Sequence, residues 1–149
     1  MANRNVSETT RRQALKLAAV TPVLSLFAPV FASNAPDTKN FIDEAFRMRD
    51  EAIAAGDQAY GAVMVLDGHI VGYGPSRVVA DSNVDAHAER VALWDAQKQL
   101  GRGDLFGAVM YSTSRPCPAC QAALAKARVA RLRFGRDGAD GGPPQSSSL

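Results

Sequence analysis

Two cysteines, Cys117 and Cys120, are the only thiols in the chain, and they stand two residues apart in Pro116-Cys117-Pro118-Ala119-Cys120. That spacing lets both sulfurs hold one metal ion, and the flanking prolines suit a turn that opens a helix. Three residues along a helix is about 60° around it, so the sulfurs face one point, and the positive helix start favours thiolate. A third soft ligand must be a histidine. Of the two available, His69 reads as an exposed strand residue after a hairpin turn, whereas His87 opens a helix in His87-Ala88-Glu89. Three N and S ligands with a free fourth position make a hydrolytic rather than a structural zinc site. Glu89 lies about 200° around the helix from His87, which turns it from the metal and toward a water or substrate as proton carrier.

The elements that must position these residues follow from periodicity. Phe41, Ile42, Ala45, Phe46, Met48, Ala52 and Ile53 recur at helical spacing up to Gly56. Tyr60 to Leu66 and His69 to Tyr73 form a hairpin about Asp67-Gly68. Gly74 to Asp85 is a long loop of the kind that carries function. A helix is expected from Ala86 to Leu100 with Trp94 in the core, then a strand from Leu105 to Ser112, a helix from Pro118 to Ala127 and a strand from Val129 to Gly135. The order α-β-β-α-β-α-β places the chain in the α/β class, a sheet covered by helices. From Asp137 onward Gly, Pro and Ser dominate, and a disordered tail over 137–149 is expected.

Composition narrows the function. Of 149 residues, 46% are apolar and 21% charged, as in one globular domain. The net charge is +2, but residues 1–32 hold four of the seventeen basic residues (Arg4, Arg11, Arg12, Lys16) and one acid, Glu8. The remainder has 13 basic against 14 acidic residues, or −1, without the basic excess of a nucleic-acid binder. The run Lys126, Arg128, Arg131, Arg133 and Arg136 reads as a solvated face.

Residues 1–32 resemble a twin-arginine export signal in Thr10-Arg11-Arg12-Gln13-Ala14-Leu15-Lys16, with Ala14 where an aromatic is usual. The apolar run Leu17 to Phe31 is shorter than the roughly twenty residues of a membrane helix. Val30-Phe31-Ala32 offers a cleavage site before Ser33. The expected organisation is a signal over 1–32, a linker over 33–40 and a domain over 41–136. The mature protein is expected in the periplasm, without stable membrane insertion.

His87-Ala88-Glu89 with Pro116-Cys117-Pro118-Ala119-Cys120 resembles the zinc-dependent nucleobase and nucleoside deaminases, from about Phe41 to Gly135. The resemblance implies a three-layer α-β-α cytidine deaminase-like fold with a mixed central sheet. It implies Zn2+ held by His87, Cys117 and Cys120, with Glu89 as proton shuttle. On that resemblance, water activated at the zinc would attack the ring carbon that bears the amine, and ammonia would leave. The Ala88 backbone contacts the base, the substrate is a small base or nucleoside rather than nucleic acid, and a homodimer is expected.

Within the family, Val78 to His87 resembles guanine deaminase, whereas Phe134-Gly135-Arg136-Asp137 resembles tRNA adenosine deaminase. A guanine-type purine is the favoured substrate, with a cytosine- or adenine-type base as the alternative. Three positions depart from the family pattern. The base-binding Asn about eleven residues before the His becomes Ser76, or Arg77 with a one-residue shift. The Glu before Pro-Cys becomes Arg115, placed to meet an anionic substrate group. The pocket-closing helix or fifth strand is expected to be missing after Arg136. These departures also fit a non-catalytic zinc-binding relative. A thiol–disulfide protein is the third reading, but it leaves His87-Ala88-Glu89 unexplained and lacks a thioredoxin-like opening.

Overall fold

A computed structural model describes residues 35–146, with side chains from 38 onward. The expected signal over 1–32 lies outside the described residues. Eight elements follow in order: α1 (Ala35–Ala54), β1 (Gly61–Leu66), β2 (His69–Pro75), α2 (Ala88–Leu100), β3 (Val109–Ser112), α3 (Pro118–Lys126), β4 (Arg131–Phe134) and β5 (Ala139–Gly142). Among the described residues no helix is long and apolar enough to cross a membrane.

The strands make one sheet in the order β2-β1-β3-β4-β5. Only β3 and β4 run parallel, and their connection is α3; the other three pairings are antiparallel. The sheet is therefore mixed, as expected. Alternation along the strands divides the core into two layers. Ala62, Met64, Met110 and Leu132 face Ala88, Ala92, Leu93 and Ala96 of α2 and Leu124 of α3. Val63, Val65 and Tyr111 face Ile42, Ala45, Phe46 and Met48 of α1. This is the three-layer α-β-α arrangement.

Besides shifts of a few residues at element ends, such as β3 starting at Val109 rather than Leu105, three expectations differ from the structure. The linker drawn over 33–40 is helical from Ala35, because Pro36 costs little in a first turn, whose N–H groups lack intrahelical partners. The tail drawn as disordered from Asp137 contains β5, so the fifth strand is present. It forms because β4 offers an open row of backbone groups and Asp140 reaches Arg131, whose Nε lies 2.8 Å from Oδ1. Trp94, expected in the core, is 38% exposed, and the Arg90 guanidinium covers its ring at 5.7 Å.

Close approach of α2 to β2 fixes where the site can form. A Cβ on Gly74 would stand 2.1 Å from the Ala88 carbonyl oxygen, so only glycine lets the start of α2 lie directly on the strand. The basic run ends in separate contacts: Arg128 pairs with Asp104, Arg131 with Asp140, and Arg133 donates to the Gly138 carbonyl.

Candidate active site

The reactive residues stand at two helix starts. His87 is the N-cap of α2: its backbone is extended, its carbonyl accepts from Val91, and its ring makes no cap hydrogen bond. The imidazole is therefore free for other work. Cys117 is the N-cap of α3, with Pro118 at the first helical position and its sulfur accepting from the Cys120 amide at 3.4 Å. Both sulfurs meet the same ring nitrogen. His87 Nδ1 lies 3.7 Å from Cys117 Sγ and 3.4 Å from Cys120 Sγ. The three donor atoms lie within 4.8 Å of one another.

This donor set suits zinc, which takes thiolate sulfur and imidazole nitrogen. Cys120 is fully buried. Burial, and after it the negative charge of Glu89, push its thiol well above the ordinary range, so a metal must displace that proton. Glu89 is not among the donor cluster. It is 5% exposed, and its Oε1 accepts a 2.8 Å hydrogen bond from the buried hydroxyl of Ser112, the last residue of β3.

Glu89 nonetheless faces the open side. A cavity of about 280 Å3 is lined by Gln58, Tyr60, His87, Glu89, Ser114, Arg115 and Cys117. One wall thus holds two metal donors and a carboxylate, and exposed Gln58, Tyr60 and Arg115 form the mouth. An aromatic ring, an amide and a guanidinium at the mouth can stack on a planar ring and hydrogen-bond its edge.

The predicted residues divide. His87, Cys117, Cys120 and Glu89 come together, and Arg115 joins the cavity. Ala88 is buried in the first turn of α2, and its side chain does not line the cavity. Ser76 stands outside the cavity: it is 2% exposed, and its hydroxyl donates to Asp57 Oδ1 at 2.9 Å. Arg77 is committed to Asp81. The reason is Asp57, which also accepts from the Val79 and Ala80 amides at 2.9 and 2.8 Å and ties the start of the 76–87 loop down beside α1. Burial opposes the charge, but the Ala80, Gln58, Ser76 and Val79 hydrogen bonds hold the Asp57 carboxyl below its ordinary value.

Sequence reasoning missed Asp57, Gln58, Tyr60, Ser112 and Ser114. An acid directly after the helix-stopping Gly56 is a usable signal for Asp57. Tyr60 and Ser112 were visible only as strand ends. Nothing local marks Gln58 or Ser114.

The fold and site define a mixed-sheet α/β protein with a metal centre carried on two helix N-termini. The comparisons sharpen that class. Residues 36–136 match the cytidine and deoxycytidylate deaminase zinc-binding region, and the chain belongs to that family. It is 38% identical over 99 residues to the tRNA-specific adenosine deaminase of Agrobacterium fabrum, covering 64% of this chain and 65% of that one. It is 32% identical over 103 residues to the guanine deaminase of Bacillus subtilis, covering 68% and 66%. The matched region thus spans just under two-thirds of these relatives' own length. The crystal structure of a Bacillus subtilis guanine deaminase superposes with a TM-score of 0.63 at 33% identity, covering 65% of this chain and 62% of that one.

Proposed function

We propose that this protein is a zinc-dependent aminohydrolase that removes the exocyclic amine of a nucleobase or nucleoside, a guanine-type purine being the preferred substrate. The observation that carries the reading is Glu89: a buried carboxylate, anchored by Ser112, in the wall of the cavity that also holds two of the three metal donors. His87, Cys117 and Cys120 would hold the zinc, which supplies a Lewis acid that activates water near neutral pH. The chain's own part is positioning and proton movement. Tyr60 stacks on the base and Gln58 contacts its edge. Glu89 takes the two protons of the attacking water in turn and delivers one to the ring nitrogen beside the amine and the other to the departing amine, so that the amine leaves as ammonia and the water oxygen becomes the carbonyl.

The likeness of Val78 to His87 to guanine deaminase and the match to the Bacillus subtilis enzyme support the guanine assignment. An adenine-type base is the second reading, favoured by the 38% identity to a tRNA-specific adenosine deaminase. The twin-arginine-like segment supports export to the periplasm, where a free base or nucleoside is the accessible substrate.

The deciding measurement is ammonia release from guanine, adenine, cytosine and their nucleosides by protein carrying about one zinc per chain. Glu89→Gln is expected to lower that release by at least about a hundredfold while retaining zinc. Full activity in Glu89→Gln would remove the carboxylate from the mechanism. Zinc-loaded protein that converts nothing would favour a non-catalytic relative.

A further inference from the structure

A second cavity, of about 430 Å3, lies on the α1 side of the sheet, away from the metal donors. Its volume falls within the roughly 300–1,000 Å3 of small-molecule sites. Strand alternation decides what it contains. Val65, Val109 and Tyr111 face the α1 side, whereas Met64, Met110 and Leu132 face α2 and α3. Arg131 and Arg133 flank Leu132 in β4 and so share the α1 side. All five of these residues, with Phe41 of α1, line the cavity. An apolar floor is thus bordered by two guanidinium groups.

Two polar groups there are not consumed by the fold. Tyr111 is 6% exposed, yet its hydroxyl has no hydrogen-bond partner among the described residues. Among those residues the only enclosed side-chain polar atom without a partner is Arg90 Nε. The Tyr111 hydroxyl therefore keeps an opening, and the open space that Tyr111 lines is this cavity. The Phe41 ring, with its centroid 5.2 Å away and tilted by 51°, fixes the tyrosine ring in place. Arg131 is committed to Asp140. Arg133 holds no carboxylate among the described residues and donates only to the Gly138 carbonyl, at 3.3 Å. A guanidinium has about five N–H donors, so most of its capacity is unspent.

Register gives the cavity a direction. Tyr111 pairs with Arg133, Val109 with Arg131, and Val65 with Val109. The hydroxyl and the unspent guanidinium share one end, and the two valines form the other. Asp67 also lines the cavity, two residues beyond Val65 and so at the apolar end. Its charge repels an anion there and leaves the Tyr111–Arg133 end as the place for one.

We propose that this cavity is a second ligand site, for a small aromatic carboxylate. The ring lies on Val65 and Val109, and the carboxylate takes the Arg133 fork and the Tyr111 hydroxyl. One guanidinium and one hydroxyl match two oxygens and a single charge; a phosphate would keep a third oxygen and a second charge unmet. The metal donors and Glu89 do not line this cavity, so the assignment stands apart from the deaminase reading.

The test is calorimetric titration of zinc-loaded protein with indole-3-acetate, its neutral amide and inorganic phosphate. Indole-3-acetate is expected to fill a single saturable site at least about tenfold more tightly than the amide. Arg133→Gln is expected to cut that preference to about twofold or less, with part restored by Arg133→Lys. Tyr111→Phe, which keeps the ring, is expected to weaken binding by about threefold to tenfold. Arg115→Gln is expected to change nothing, which separates this cavity from the cation beside the metal donors. Amide NMR shifts in the unsubstituted protein give an arm free of folding effects, and they are expected at Gly68, Val109 and Arg133. No saturable binding, a preference that survives Arg133→Gln or is lost with Arg115→Gln, or shifts confined to the metal site overturns the proposal. Phosphate binding as tight as that of indole-3-acetate overturns the carboxylate assignment.

Discussion

Glu89 sits where a carboxylate is costly, at 5% exposure, with the Ser112 hydroxyl as its one hydrogen-bond donor among the described residues. A buried acid that has shed most of its water depends on that donor for both energy and direction. Ser112→Ala would leave Oε1 unsatisfied and free the carboxylate to rotate. On the deaminase reading, kcat is expected to fall about tenfold with KM little changed, because the lost hydrogen bond is worth about 1–2 kcal/mol. Ser112→Thr should restore most of it, since threonine keeps the hydroxyl. Steady-state kinetics would refute a positioning role if KM rose while kcat held. The contrast with Glu89 also shows what a sequence exposes. His87, Glu89, Cys117 and Cys120 were legible because residue type and short spacing carry their chemistry. Ser112 was not, because its partner lies 23 positions away and the contact exists only once α2 packs against β3. Trp94 failed for another reason: apolar type argued for burial, but the ring is 38% exposed with the Arg90 guanidinium over it.

At the level of elements, the helices and the hairpin were readable from periodicity, while their ends and the edges of the sheet were not. β5 is Ala139-Asp140-Gly141-Gly142, a composition poor in strand formers. Only the unpaired edge of β4 and the Arg131–Asp140 pair make it a strand. The 76–87 loop behaves similarly. The sequence marks it only as a long loop without a clear period, yet the Asp57 carboxylate gathers two of its amides and the Ser76 hydroxyl. This latch has a pH signature. The folded carboxyl titrates below its ordinary value of 3.8, so the latch contributes fully above that value. Its contribution is lost as pH falls through the depressed folded value. Amide exchange at Val79 and Ala80, relative to the buried strand amide of Met64, should accelerate across that interval. Asp57→Ala should give the fast limit at neutral pH. Exchange that ignored both the acid and the substitution would show that the loop is held by other contacts.

For the molecule as a whole, the fold class was the most secure part of the sequence reading, because the order of helical and alternating apolar patterns implies a sheet covered by helices, and the family resemblance adds the three layers. The two helices that carry the metal donors lie on the same face of that sheet, and 30 residues separate His87 from Cys117. A zinc ion there is thus also a cross-link between distant parts of the chain. Closing a loop of this size removes freedom from the unfolded chain, so metal occupancy should contribute to folding as well as to chemistry. Removing zinc with a chelator is expected to lower the melting temperature by several degrees, on the order of 5 °C or more, with recovery on adding zinc back. An unchanged melting curve would confine the metal to chemistry. If the cross-link holds, inactivation by metal loss and loosening of the start of α3 are one event, and the zinc supply of the compartment sets the lifetime of the folded protein as well as its turnover.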